Sequence, residues 1–294
     1  MRKLFLGILF VSAILFAMVS SCKKEEEVID DPVDTLVVDE SSTGTKNSMQ
    51  ADNVYDNTIS SVIVSCDGNG SKSINTCATV TLVPSDLTTY PKTLTIDYGT
   101  SGCTVGGYPV SGKIVATLSG KIREIGTVIS ISFDNYSVDT ITVSGTVSLS
   151  VDDYSAINKT ITISTSTTGG VLTTPSGTIN YTGSKSIKYY FNTLTDYTDN
   201  EFEIAAGSST NVTALDGNTY ATEVLEKIYI QPCTGVYQVV DGLYEITSTE
   251  LLAPVQINFG DGECDNLATV STTISITYGN QTFEQDYSYP ITLP

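Results

Sequence analysis

Histidine and tryptophan are both missing from the 294 residues, and cations are scarce, 14 Lys and Arg against 33 Asp and Glu. Without histidine the chain cannot by itself build a Ser-His-Asp or Cys-His catalytic set, a His-based zinc site or an imidazole general base. Without tryptophan it lacks the broadest platform for stacking a sugar, although 17 Tyr remain. A net charge of −19 repels phosphate backbones and anionic membrane surfaces, so nucleic acid is excluded as a partner. Acid–base chemistry would fall to carboxylates, Lys or Tyr. A glycosidase needs two carboxyl groups about 5 to 9.5 Å apart, and no spacing along the chain singles out such a pair.

What is present begins with a leader. Arg2 and Lys3 precede an apolar stretch, Leu4 to Val19, closed by Val19-Ser20-Ser21-Cys22. A charged start, an apolar core and small residues before a cleavage point read as a secretory signal peptide over residues 1–21. The apolar stretch is shorter than the ~20 residues that a spanning helix takes. Val-Ser-Ser-Cys resembles the lipobox of bacterial lipoproteins, which implies lipidation at Cys22 and a stable membrane anchor of several acyl chains. The next residues, Lys23-Lys24-Glu25-Glu26-Glu27, resemble the export signal that sends Bacteroidota lipoproteins to the outer face of the outer membrane. Residues 22–57 are polar and acidic, and are expected to form a disordered, solvated tether. From Thr58 on, nine basic residues face twenty-three acidic ones, a charge of −14.

Residues 58–294 read as a β-rich domain. Ile141, Val143, Val147, Leu149 and Val151 alternate with Thr and Ser, as do Ile129, Ile131 and Phe133, Ile161 and Ile163, and Ile274, Ile276 and Tyr278. Period-two alternation predicts half-buried antiparallel strands. Turn signals such as Thr168-Gly169-Gly170, Asp216-Gly217-Asn218 and Gly279-Asn280 separate them. No amphipathic helix is expected after the signal, and Ala221 to Lys227 is read as strand. About fourteen strands are too many for one strongly twisted open sheet. The expected fold is therefore all-β, an antiparallel β-sandwich or a partly closed β-barrel.

One phrase occurs twice, 161 residues apart: Ile96-Asp97-Tyr98-Gly99 with Cys103, and Ile257-Asn258-Phe259-Gly260 with Cys264. Each copy closes a unit that reads cysteine, strand, turn, strand, Gly, cysteine. Positions equidistant from a hairpin turn lie opposite one another, which predicts disulfides Cys77–Cys103 and Cys233–Cys264 and leaves Cys66 over. The rival pairing joins Cys66 to Cys77 and Cys103 to Cys264, since connectivity is not fixed by sequence. Alternating acids in the second copy, Asp261, Glu263 and Asp265, could offer oxygens to calcium, as could Asp67 with Asn69, although the EF-hand spacing is missing and Asp-Gly is common turn chemistry. No other cofactor is expected.

The segments "TCATVTL" (76–82), "KTLTIDYGTSGC" (92–103), "SGKIVATLSG" (111–120), "ISFDNYSV" (131–138) and "INFGDGECDNLATV" (257–270), taken in order, resemble a family of uncharacterised Bacteroidota outer-membrane and surface lipoproteins. Cys77, Cys103, Cys233 and Cys264 fall on the family's pattern, and Cys66 is additional. The chain departs from relatives that place tryptophans near Lys188-Tyr189-Tyr190-Phe191 and Cys233-Thr234-Gly235-Val236-Tyr237, and basic residues where Tyr108-Pro109-Val110 stands here. The resemblance implies location and fold and carries no reaction. Asp34-Thr35-Leu36 and Asp139-Thr140-Ile141 also resemble the Bacteroidota O-glycosylation sequon. Two functions are expected from this sequence: a non-enzymatic surface module that binds a glycan or a surface protein or helps to build the surface layer, or a carboxylate-dependent hydrolase of extracellular polysaccharide. Tyr189, Tyr190, Tyr287 and Tyr289 are the contact candidates for the first.

Overall fold

The computed structural model describes residues 32–67, 77–86, 88–105, 108–191, 201–233, 236–278 and 281–292. The expected signal peptide, the expected lipidation position Cys22, Asn69 and the predicted turn at Gly279-Asn280 lie outside them. Among the described residues a helix, α1 (Pro32–Asp67), precedes fifteen strands. These are β1 (Thr79–Val83), β2 (Lys92–Asp97), β3 (Cys103–Val105), β4 (Tyr108–Leu118), β5 (Val128–Val138), β6 (Ile141–Ser155), β7 (Thr160–Thr174) and β8 (Gly177–Tyr190). They continue with β9 (Glu201–Ile204), β10 (Ser209–Thr213), β11 (Thr219–Cys233), β12 (Val236–Ser248), β13 (Val255–Asp261), β14 (Leu267–Tyr278) and β15 (Gln281–Thr292).

The class is all-β and antiparallel, as the alternation predicts. All the strands join in a single sheet that follows chain order, with β3 set beside β4 and β9 bridging β8 and β11. Among the described residues no pairing links β1 to β15, so the sheet is not closed edge to edge. The predicted inward residues are buried: Ile129 and Ile131 on β5, Val143, Val147, Leu149 and Val151 on β6, Ile161 and Ile163 on β7. The alternation misplaces the outer part of β14. Ile276 and Tyr278 are 62% and 84% exposed, because β13 pairs with β14 only through Thr269 to Ser271 and the rungs from Thr272 outward continue as a two-stranded hairpin with β15.

The helix corrects the sequence reading. Residues 22–57 were expected to be tether throughout, yet Ala51, Tyr55, Ile59, Val62 and Ile63 of α1 are buried in the core. Their spacing of four, four and three or four puts them on one helical face, so the folded body begins before Thr58. Tyr55 is the anchor. Its ring stacks on Tyr181 of β8, 4.8 Å between centroids, and meets Phe133 of β5 edge-on. Its hydroxyl donates to the Ser144 carbonyl at 2.7 Å, where the β6–β7 register shifts. Strands β5 and β8 would stand roughly 14 Å apart in a flat sheet with 4.8 Å spacing; one ring touches side chains from both, so the sheet curls around α1. The phenol fits because residue 170 is glycine: a Cβ there would lie 2.6 Å from the Tyr55 oxygen.

The repeated phrase builds the same local structure twice. Ile96 and Tyr98, like Ile257 and Phe259, turn into the core. Between them Asp97 Oδ1 accepts the Gly99 N–H at 2.8 Å, and Asn258 Oδ1 accepts the Gly260 N–H at 2.9 Å. The side chain thus closes an Asx turn, and each glycine holds a positive φ, +75° and +99°, which suits a residue without Cβ. Disulfides follow both turns, Cys77–Cys103 and Cys233–Cys264, with Cα atoms 5.9 and 5.7 Å apart. Each closes the open end of a hairpin, β1–β2 and β12–β13. Cys66, near the end of α1, belongs to neither disulfide.

Candidate binding cavity

The buried apolar residues form two separate cores. One holds α1 against β2 and β4 to β8. The other lies among β11 to β14, with Ala214 ahead of them. Between them, where α1 faces β8 to β13, a cavity of about 180 Å³ is left. Protein interiors rarely leave voids larger than a water molecule. The cavity's far wall is apolar and aromatic, with Phe202, Ile204, Tyr237, Val239, Ile257 and Phe259. The last two belong to the second copy of the repeated phrase, so the Asx turn and disulfide beyond them hold one wall in place.

One end of the cavity carries charge. Asp52 and Asp56 stand one turn apart on α1, and both reach Lys185 of β8, whose Nζ lies 2.9 Å from an oxygen of each. Asp52 also accepts the Tyr181 hydroxyl at 2.6 Å. Lys185 is buried, while Asp56 keeps 39% of its side chain exposed. Burial alone would lower the Lys185 pKa; the two carboxylates outweigh it and hold the ammonium well above the ordinary lysine range. Desolvation raises the Asp56 carboxyl, with Lys185 opposing and Asp52 reinforcing the shift. Tyr181, Tyr189 and Tyr244 are raised as well, in each case chiefly by burial. A hydroxyl pair, Thr210 with Thr222 at 2.6 Å, completes the polar rim.

This arrangement does not match hydrolytic chemistry. The oxygens of Asp52 and Asp56 that meet Lys185 are no further apart than twice its bond length to each, but they project from one face of one helix and share a cation between them. A glycosidase sets its acid and its second carboxylate on opposite sides of the scissile bond. The geometry suits recognition instead: an apolar slot with one fixed polar end.

Sequence-predicted site residues lie elsewhere or contribute indirectly. The four bonded cysteines flank hairpin ends. Asp261 ends β13, and Glu263 and Asp265 follow on the turn after it; all three are exposed, and Asp265 Oδ1 accepts the Leu267 N–H at 2.9 Å. Among the described residues no three His, Cys, Asp or Glu gather to hold a metal ion. Of the tyrosines proposed for contact, Tyr189 lines the cavity. Tyr190 instead donates to Glu203 at 2.8 Å, under the Lys188 ammonium. Tyr289 is 39% exposed on the terminal hairpin. Asp52 and Asp56 were counted among the tether's acids and missed as partners. No helix among the described residues is long and apolar enough to cross a membrane. A scan against family models, a search of curated proteins and a search of solved structures each found no match.

Proposed function

We propose that this protein is a lipid-anchored module of the bacterial outer envelope, held to the outer membrane through Cys22 and displayed at the cell surface, that binds a ligand without transforming it. The observation that carries the binding reading is the cavity at the seam of the two cores. It is walled by apolar side chains where close packing would have been the more stable solution, and its ionised groups are engaged with one another. The leader and the lipobox resemblance support the anchor. A curled sheet stapled at two hairpin ends supplies a rigid wall.

The test uses protein purified from its native envelope. Organic extracts of the wild type and of Val239→Trp, which fills the cavity, are compared by mass spectrometry, and the N-terminal peptide is mapped. The expected result is a small molecule released by the wild type only, and an acylated Cys22. Identical extracts would sink the binding reading, and an unmodified N-terminal peptide would sink the anchor.

A further inference from the structure

We infer that the ligand is a small amphipathic cation, with a protonated amine seated on Asp56 and an apolar body lying against the Phe202, Tyr237 and Phe259 rings. The inference rests on the binding reading above and names the ligand class of that same cavity. Apart from phenols, the described residues that line the cavity include three ionisable side chains, Asp52, Asp56 and Lys185. Two carboxylates against one ammonium leave a charge of −1 in a largely apolar enclosure. Asp52 takes both of its bonds, from Lys185 and from the Tyr181 hydroxyl, on Oδ1, and it is the less accessible of the two acids, with 17% of its side chain exposed against 39% for Asp56. Asp56 is bonded to Lys185 through Oδ2, and its Oδ1 takes no protein partner among the described residues. An incoming ammonium would find there a charge-assisted acceptor, and its positive charge would balance the cluster.

The walls agree with this. Five aromatic rings line the cavity, those of Tyr189, Phe202, Tyr237, Tyr244 and Phe259, and ring faces attract cations that approach them. An anionic ligand would meet the exposed carboxylate of Asp56 instead, since the Lys185 ammonium already lies against both acids. Size limits the apolar body. A dry cavity of about 150 Å³ takes a benzene ring, so about 180 Å³ accommodates a six-carbon chain or a phenyl group with its amine. The −14 charge of the residues from Thr58 on favours approach of the same sign of ligand.

Hexylammonium, hexanol and hexanoate share one apolar body and differ in the head. Each is titrated into the purified protein and followed by chemical-shift changes in nuclear magnetic resonance. The expected order is hexylammonium tightest, hexanol weaker by about tenfold or more, as loss of a charged hydrogen bond entails, and hexanoate weakest. Asp56→Asn should bring hexylammonium down to hexanol's affinity while hexanol still binds, which also shows that the variant is folded. Should that variant fail to fold, nuclear Overhauser contacts in the wild type decide: the ammonium-side methylene must lie near Asp56 and the terminal methyl near Phe259. Hexanol binding as tightly as hexylammonium, hexanoate binding best, or the opposite orientation of the chain would overturn the cation while leaving an apolar binding cavity. Failure of all three probes to bind would overturn both.

Discussion

Tyr55 offers the sharpest perturbation, because it divides a folded helix from a tether. The side chain is fully buried, stacked on Tyr181 and edge-on to Phe133. Tyr55→Ala removes the ring and leaves a hole bounded by strands that cannot all close in, and such truncations cost about 3–5 kcal/mol. Tyr55→Phe keeps the ring and deletes the hydroxyl bonded to the Ser144 carbonyl. A buried carbonyl left without its donor costs about 1–3 kcal/mol. The two variants should therefore rank alanine well below phenylalanine below wild type.

Urea unfolding of the purified domain, followed by the near-ultraviolet signal of its tyrosines, reads both values from the midpoints. In a thermal scan 1 kcal/mol moves the midpoint by about 2–4 °C for a domain of this size, so Tyr55→Ala should melt roughly 6 to 20 °C below wild type. Substitutions on a solvated segment change stability by no more than about 0.5 kcal/mol. If Tyr55→Ala falls inside that band, α1 is no part of the core, and the cavity loses one of its walls with it.

A chain that begins at Thr58 lacks Ala51, Asp52 and Tyr55 and should show no cooperative transition by circular dichroism, whereas one that begins at Pro32 should melt as the protein purified from its native source does. Replacing both members of either cysteine pair by serine should cost about 3.5 kcal/mol in the loop-entropy account, for separations of 26 and 31 residues; non-reducing peptide mapping should show those two links and Cys66 in neither. Tyr55, Tyr136, Tyr181, Tyr189 and Tyr244 all have their pKa raised by burial. The folded chain thus keeps phenolic protons that the unfolded chain gives up above about pH 10, so stability is intact below that pH and falls as pH rises toward the folded values. With no tryptophan to obscure it, phenolate absorbance should rise first from exposed tyrosines such as Tyr278 and then, for the buried ones, together with loss of structure; a rise in all seventeen tyrosines before structure is lost would refute the burial.

Much of the sheet was legible because period two is a strong local signal. Val143, Val147 and Leu149 lie inward as their alternation with Ser and Thr requires. The symmetry of each hairpin about its turn favoured the two cysteine links that the structure holds, with a rival pairing left open. The exposed end of β14 was not legible, since alternation reports which residues share a face and not whether anything covers it. The helix was missed for a different reason. Asp52, Asn53, Asp56, Asn57 and Thr58 fill the positions between Ala51, Tyr55 and Ile59, and residues of those types have low helix propensity and favour turns. Tertiary burial of one stripe overrides that local preference.

The site itself had a signal in an unexpected place. In β8 the odd positions Ile179, Tyr181 and Ile187 face inward, and Lys185 occupies the same register. A lysine aimed at an apolar core must find carboxylates or lose its charge. No inward acid on the neighbouring strand stretches Ile161–Thr167 or Ser209–Thr213 can meet it, since neither contains Asp or Glu. The partners therefore had to come from outside the sheet, and the acidic segment ahead of Thr58, with Asp52 and Asp56 four residues apart on one helical face, was the nearest supply. One lysine in the wrong register thus argues for the helix, for where it docks, and for the single charged end of an otherwise apolar cavity.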